Sequence, residues 1–124
     1  MKVAIRADAS TRIGSGHITR CLTLANALRA GGASVRYISR DLPDHLARLV
    51  AADGHDIVAL DGEAGDEARD AEQSLVAADH PDWMIVDHYG LGVAWETRMR
   101  QVCRVLSIDD VARPHNCDVL LDQL

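Results

Sequence analysis

Three loops that carry aspartate, histidine or tyrosine each follow a predicted buried strand, and they hold the residues best suited to chemistry. Asp8 and His17 follow the first apolar run, Asp87 opens an Asp-His-Tyr segment after a later run, and Asp109 opens a third cluster. In a doubly wound sheet, ligands bind beyond the carboxyl ends of the strands, near the point where the strand order reverses. Folding alone does not require such residues at three strand ends. The sequence therefore predicts that the three clusters converge on one site.

The first of these loops combines glycines with a histidine at a predicted helix start. Gly14 and Gly16 are expected to take positive φ and to let the backbone approach a bound group. The N–H groups from Ser15 to Ile18 would open the helix without intrahelical partners, and such an end attracts anions, phosphate above all. The positive end of the helix dipole would favour a neutral imidazole at His17. We therefore predict that His17 is a general base.

Further polar residues of the first two loops are predicted to act in the site. Tyr89 is expected to act in the site, although it could also only pack, and Asp87 could instead cap the following turn. Arg20, one turn after His17, could bind a phosphate or a carboxylate or could merely cover the surface. The predicted catalytic residues are His17 and Tyr89, and the predicted substrate-binding residues are Asp8, Ser10, Gly14, Ser15, Gly16, Arg20, Asp87 and His88.

No metal or cofactor is predicted for this site. Gly14-Ser15-Gly16 lacks the third glycine of the dinucleotide fingerprint, which disfavours NAD. Asp109 and Asp110 are adjacent, and adjacent side chains on an extended backbone point apart, so a shared metal is disfavoured and one of the two is expected to fix the loop. His115 is interpreted as structural.

The composition is that of an ordinary globular domain with an acidic balance. The 124 residues include 13 basic and 19 acidic side chains, for a net charge of −6, and no basic cluster with interleaved aromatic residues. This excludes nucleic acid as an expected partner. Without a signal peptide or a long apolar span, we expect a cytoplasmic protein with no membrane partner. The three cysteines, Cys21, Cys103 and Cys117, fit neither a disulfide framework nor a zinc site and are predicted to be buried thiols.

Strand and helix patterns alternate along the chain, which predicts an α/β, Rossmann-like, doubly wound parallel sheet in a single domain of residues 1–124. The predicted strands are Val3–Ala7, Ser34–Ser39, Asp56–Leu60, Trp83–Asp87, Arg104–Ile108 and Val119–Leu121. Helices are predicted from Ile18, over Leu42 to Val50, over Glu67 to Ala78 and over Val93 to Val102. The alanine-rich third helix has weak periodicity and is expected to be exposed.

Several segments together resemble the UDP-sugar hydrolases of the pseudaminic acid pathway. They are Ile5-Arg-Ala-Asp-Ala-Ser, Ile13-Gly-Ser-Gly-His-Ile-Thr-Arg-Cys-Leu, Ile85-Val-Asp-His-Tyr-Gly, Trp95-Glu, Ser107-Ile-Asp-Asp and His115-Asn-Cys-Asp-Val-Leu-Leu-Asp-Gln. The resemblance implies a GT-B-like enzyme that removes UDP from UDP-2,4-diacetamido-2,4,6-trideoxy-β-L-altropyranose with water as acceptor and without an essential metal. The family's catalytic histidine matches His17, and its active-site tyrosine matches Tyr89.

The chain departs from this family in length. The resemblance implies two similar domains, with the nucleotide held largely by the carboxyl-terminal one, whereas this chain stops at Leu124. We therefore expect the amino-terminal half of a GT-B fold, without the carboxyl-terminal nucleotide-binding domain. Such a fragment would fold, turn over little substrate alone, and self-associate through its exposed interdomain face.

Two other functions are weighed against the hydrolase. Gly-Ser-Gly-His alone also resembles the lipid-linked glycosyltransferases of peptidoglycan synthesis, so the chain could be the acceptor-binding amino-terminal domain of a GT-B glycosyltransferase. The non-enzymatic alternative is a flavodoxin-like or receiver-type binding module. A receiver needs paired acids after its first strand, where this chain has Asp8 alone, and the pattern therefore disfavours a receiver.

Overall fold

The computed structural model of the chain describes residues 1–9 and 16–122. The strands are β1 (Lys2–Ala7), β2 (Ser34–Ser39), β3 (Asp56–Ala59), β4 (Trp83–Asp87), β5 (Arg104–Asp109) and β6 (Val119–Asp122). The helices are α1 (Gly16–Ala30), α2 (Asp44–Ala52), α3 (Glu67–Ala78) and α4 (Val93–Arg100). Each predicted strand and helix is present, and no predicted bound differs from the observed one by more than two residues.

The strands form one parallel sheet in the order β3-β2-β1-β4-β5-β6. This is the order of a Rossmann-like doubly wound sheet, so the predicted α/β fold class is confirmed. The order reverses between β1 and β4, where Ala7 is paired with Asp87. The loops that leave these two strands therefore start side by side, and the predicted site has its place at this switch point.

Helices cover both faces of the sheet, and each face has its own apolar core. Ile5 and Ile85 face the layer that contains α1 and α2, whereas Ala4 and Met84 face the layer of α3 and α4. Because alternate residues of a strand point to opposite faces, a central strand with both faces covered must be apolar at nearly every position. The continuous apolar runs of β1 and β4 satisfy this requirement.

Helix α3 is not the exposed helix that its weak periodicity predicted. Ala71 and Ala78 are buried against the sheet, and Asp70 is only 4% exposed. Arg6 of β1, 1% exposed, donates from Nε and Nη2 to the two carboxylate oxygens of Asp70 at 3.1 and 2.7 Å. Trp95 of α4 donates its indole N–H to the same carboxylate at 3.0 Å. The prediction was wrong because the buried stripe of α3 contains a charged residue, which hydropathy counts as exposed.

The cysteine prediction holds at one position and fails at two. Cys21, a residue of α1, is buried in the core, whereas Cys103 and Cys117 are only partly buried. Cys103 directly precedes β5, and Cys117 lies two residues before β6. In residues 1–9 and 16–122, no helix combines the length and the apolar character that crossing a membrane demands.

Candidate active site

The glycine-rich loop lies only partly within the described residues. The predicted binding residues Ser10, Gly14 and Ser15 are outside them, and Gly16 is the first residue of α1. Gly16 is not among the glycines with positive φ, so that expectation was wrong, because a residue already in the helix has helical, negative φ. Among residues 1–9 and 16–122, no atom lies within 4 Å of a Cβ built at Gly16.

His17 is paired with Asp87 across the switch point. The imidazole Nδ1 contacts Asp87 Oδ1, and both side chains are buried. Since an ionised carboxylate only accepts hydrogen bonds, Nδ1 must carry the proton in this pair. The other ring nitrogen, Nε2, is then the one that can accept a proton in a neutral ring. The geometry thus gives His17 the tautomer that a general base needs.

Asp87 is kept ionised by hydrogen bonds from Arg20 and His17. Burial would raise its pKa, but hydrogen bonds from Arg20 and His17 outweigh burial and hold the pKa below its ordinary value. Arg20 donates from Nε to Oδ2 at 2.5 Å and from Nη2 to Oδ1 at 2.6 Å, a bidentate pair, and the Cys21 thiol lies 3.6 Å from Oδ2. Asp87 therefore organises the site, and it does not act as a cap of the following turn.

Asp8 lies at the same edge, and the protein itself occupies its carboxylate. Its Oδ1 accepts from Arg6 Nη1 at 2.7 Å, from Ser39 Oγ at 2.9 Å, and from the backbone N–H groups of Arg40 and Asp41 at 2.7 and 3.2 Å. Burial would raise the pKa of Asp8, but hydrogen bonds from His88 and Arg6 hold it far below its ordinary value. These contacts favour a positioning role, and direct substrate binding by Asp8 stays a prediction.

His88 is held at both ring nitrogens. Nε2 is 2.8 Å from Asp8 Oδ2, and Nδ1 accepts the backbone N–H of Gly90 at 2.9 Å. This pattern corresponds to a neutral ring with its proton on Nε2. His88 thereby ties the loop after β4 to the end of β1, and its predicted contact with substrate stays a prediction.

The aromatic ring of Tyr89 packs against the imidazole ring of His17. The two rings meet edge to face, with centroids 4.7 Å apart and an interplanar angle of 86°. The phenol O–H donates to Asp110 Oδ1 at 2.7 Å, and this hydrogen bond raises the pKa of Tyr89. Asp110 Oδ2 in turn accepts from Arg20 Nη1 at 3.3 Å. Sequence reasoning gave Asp110 no role of its own, and only its place after β5 pointed to the site.

Asp109 and His115 form a second cluster behind the site, together with Glu96 of α4, which the sequence analysis missed. His115 bridges the two carboxylates, with Nδ1 and Nε2 each 2.8 Å from an oxygen of Glu96 and Asp109. Asp109 also accepts the backbone N–H groups of Asp110, Val111 and Arg113 at 2.8 to 3.2 Å. The prediction that one aspartate of the pair fixes the loop is confirmed for Asp109. The structural interpretation of His115 agrees with these contacts.

A small cleft opens where these side chains meet. Its volume is about 80 Å³, and its lining is Asp8, His17, Asp87, His88, Tyr89 and Gly90. A space of this size accommodates a few water molecules, whereas sites for drug-sized ligands enclose roughly 300–1,000 Å³.

Hydrogen-bonding neighbours lower the pKa of the carboxylates of Asp8, Asp87 and Asp110, so they are ionised at neutral pH. Within the described part of the chain, no group of three His, Cys, Asp or Glu residues is arranged to hold a metal ion.

Comparison with known proteins supports the resemblance noted in the sequence. Over 124 residues the chain is 31% identical to the UDP-2,4-diacetamido-2,4,6-trideoxy-beta-L-altropyranose hydrolase of Campylobacter jejuni subsp. jejuni serotype O:2, with 98% of this chain and 41% of that enzyme covered. The chain thus spans less than half the length of this relative. An 80-residue stretch is 40% identical to the 8-amino-7-oxononanoate synthase of Alkalilimnicola ehrlichii, covering 60% of this chain and 20% of the synthase. No protein-family model matches the chain.

A solved structure supports the fold. The glycotransferase of kitacinnamycin superposes with a TM-score of 0.59 at 21% sequence identity, over 86% of this chain and 30% of that one. At this identity the likeness establishes the Rossmann-like fold alone. The match to the hydrolase, by contrast, runs along nearly the whole chain and includes the strand-end loops that converge here. The chain is therefore an α/β Rossmann-like protein related in sequence to a bacterial UDP-sugar hydrolase.

Proposed function

We propose that this chain is the catalytic, sugar-facing part of a UDP-sugar hydrolase. The single observation that carries the proposal is the pairing of His17 with Asp87 at the switch point of the sheet. Similarity to the Campylobacter hydrolase supports UDP-2,4-diacetamido-2,4,6-trideoxy-β-L-altropyranose as the substrate. A place in pseudaminic acid biosynthesis, which the resemblance of the sequence implies, is part of the proposal. In GT-B terms, the chain would be the amino-terminal domain, residues 1–124.

In the proposed reaction, His17 acts on a water molecule. Nε2 accepts a proton as the water oxygen attacks the anomeric carbon from the face opposite to the leaving group, and UDP departs. The buried carboxylate of Asp87 stabilises the imidazolium that forms, as the aspartate does in a Ser-His-Asp triad. The cleft beside His17 has the volume to hold the water. Tyr89, edge-on to His17, would orient the water or the sugar.

The diphosphate is assigned to the start of α1. The N–H groups of Gly16 and His17 open this helix of 15 residues, and its first turn contains no acidic residue. Such a helix end stabilises negative charge, including the charge that develops on a departing diphosphate. The cleft itself, with a volume of about 80 Å³, is suited to the attacking water.

The experiment is a hydrolysis assay followed by anomeric proton NMR. The UDP-linked diacetamido sugar is incubated with the chain, with His17→Ala and with Asp56→Asn, a control whose side chain is 75% exposed at the start of the edge strand β3. Each is tested alone and with a separately produced polypeptide matching the part of the Campylobacter enzyme that this chain does not align with. We expect free sugar from the chain and the control, and loss of roughly 10²–10⁴-fold in rate in His17→Ala.

Three outcomes would contradict the proposal. Hydrolysis that survives His17→Ala would move the base to another residue. Transfer of the sugar to a lipid-linked acceptor, with no free sugar released, would identify a glycosyltransferase. The absence of any turnover by folded protein under all conditions would favour a binding module.

A further inference from the structure

We propose that the segment directly after β5, residues 110–113, positions Tyr89 against His17 through Asp110 and Arg113. This inference rests on the proposed function, because it gives the segment a part in the same reaction. It makes Asp110 and Arg113 positioning residues, since both contact Tyr89 or its loop and reach the reacting atoms only through it.

Tyr89 needs such a support because the core does not hold it. Its side chain is 47% exposed, and it belongs to the loop between β4 and α4. An exposed tyrosine samples several rotamers unless its ring or its hydroxyl has fixed partners. The edge-to-face contact with His17, at a centroid distance of 4.7 Å, is by itself a weak restraint. A hydrogen bond from the Tyr89 hydroxyl is therefore needed to fix the position of the ring.

Asp110 supplies the fixed partner for that hydroxyl. Its Oδ1 accepts the phenol O–H at 2.7 Å, and its Oδ2 faces Arg20 at 3.3 Å. Asp110 itself is anchored, because its backbone N–H donates to Asp109 Oδ1 at 2.9 Å. The carboxylate of Asp110 thus joins Tyr89 to the same guanidinium that holds Asp87. The side-chain contacts therefore form a closed ring, which runs through His17, Asp87, Arg20, Asp110 and Tyr89.

Arg113 holds the backbone of the Tyr89 loop. Its guanidinium donates to the carbonyl oxygens of Tyr89 at 2.7 Å, His88 at 3.0 Å and Leu91 at 3.2 Å. The guanidinium carbon also lies 5.9 Å from the centroid of the Tyr89 ring. Only the planar fork of an arginine reaches several carbonyl groups in this way, and a lysine would reach fewer. The Arg113 side chain therefore holds the backbone conformation of the Tyr89 loop.

A contribution to folding stability does not explain the contacts that Asp110 makes. An ion pair or hydrogen bond at a partly exposed carboxylate contributes little to folding stability. The bond between Asp110 and Tyr89 therefore has its main consequence in where the ring lies, which is a property that can be measured directly. The chain has only two tyrosines, and the other, Tyr37, is fully buried, so the signals of Tyr89 can be assigned.

The test uses Asp110→Asn, Tyr89→Phe and their double variant in the full 124-residue chain, with Asp56→Asn as the matched control. NMR measures the through-space contact between the Tyr89 and His17 ring protons, and an absorbance titration follows the Tyr89 phenol. In Asp110→Asn we expect the ring contact to weaken at least about twofold and the pKa of the phenol to fall, because the carboxylate that raises it is gone.

Hydrolysis kinetics give the second reading of the same variants. Losing one hydrogen bond that orients a catalytic group is expected to lower kcat by about tenfold while KM stays within about twofold. The double variant should be no slower than Tyr89→Phe, since both changes break one contact. Arg113→Lys, which keeps the charge but loses the fork, should also weaken the ring contact. Asp56→Asn should change neither quantity.

The outcomes separate this inference from the proposed function. If the ring contact and the phenol titration of Asp110→Asn match those of the unaltered chain, the positioning role is overturned, whatever the kinetics. If the ring contact and the phenol titration both change in Asp110→Asn but the unaltered chain hydrolyses no UDP-sugar, the positioning role of Asp110 is supported and the proposed function is contradicted. A normal ring contact in Arg113→Lys would remove Arg113 from the inference and leave Asp110.

Discussion

His17 and Asp87 are 70 residues apart in the sequence, and in the fold the Nδ1 atom of one contacts the Oδ1 atom of the other. The contact exists because α1 begins beside the end of β1, and β1 pairs in parallel with β4, at whose end Asp87 lies. The sheet order thus turns two separate strand-end loops into one histidine–carboxylate pair. The four predictions below start from this pair and from the buried charges behind it.

Asp87→Asn is expected to slow hydrolysis by roughly 10²–10⁴-fold. An asparagine that offers its NH₂ group to Nδ1 would favour the tautomer with the proton on Nε2, which can no longer accept a proton from water. Steady-state kinetics measure the rate, and ¹⁵N chemical shifts of the imidazole report which nitrogen carries the proton. Unchanged imidazole shifts in the variant would show that Asp87 does not set the tautomer.

Arg20→Gln is expected to raise the pH at which Asp87 becomes protonated. Burial raises the pKa of Asp87, and the bidentate hydrogen bonds from Arg20 are the main effect that lowers it. The ionised Asp87 contributes stability above its unfolded pKa of about 3.9, and this stability is lost as the pH falls through the folded pKa. In Arg20→Gln the loss should begin at higher pH. Carbon-13 titration of the side-chain carboxyl measures the shift, and an unmoved midpoint would contradict the assignment.

Asp70→Ala is expected to destabilise the fold by about 3–5 kcal/mol. The substitution leaves the buried Arg6 guanidinium with Asp8 as its remaining carboxylate, and it leaves the indole N–H of Trp95 unpaired. Equilibrium unfolding in urea measures the free energy. Glu72→Ala is the matched control on the same helix, because Glu72 pairs with Arg98 in solvent and should change stability little. Equal effects of the two variants would show that the buried network adds no stability.

His115→Asn is expected to cost stability at low pH and to cost progressively less as the pH rises. Burial would lower the pKa of His115, but hydrogen bonds to Asp109 and Glu96 outweigh burial and raise it. A raised folded pKa means that the contribution is complete below the unfolded pKa of about 6.5 and is lost as the pH rises through the folded pKa. Unfolding free energies of both proteins between about pH 5 and about pH 9 test this. A difference independent of pH would mean that His115 is not protonated between its two carboxylates.

The strand pattern made the fold and the place of the site predictable. Apolar runs such as Trp83 to Val86 arise because a central parallel strand is covered on both faces, and this requirement is local in sequence. Polar residues placed directly after such runs mark the carboxyl edge, where Asp8, His17, Asp87 and Tyr89 do meet. The helix start at Gly16 was likewise within two residues of the prediction.

The partners of these residues were not predictable, because each partner comes from a distant segment. Asp8 was expected to face a substrate, yet Arg6, Ser39 and backbone N–H groups occupy one of its oxygens. Asp70 was expected on an exposed helix, yet it receives the guanidinium of Arg6. In both cases a charged side chain is buried because another charge is buried with it, and hydropathy along the chain contains no signal for such pairs.

The sequence by itself determined the alternation of strands and helices, the edge at which chemistry is placed, and the types of residue present there, because these follow from local periodicity and from the strand ends. Only the tertiary structure decided which side chains act together: His17 with Asp87, Asp8 with His88, and Tyr89 with Asp110. The physical reason is that hydrogen bonds and ion pairs depend on distances of about 3 Å, and the sheet order sets these distances between segments far apart in the chain.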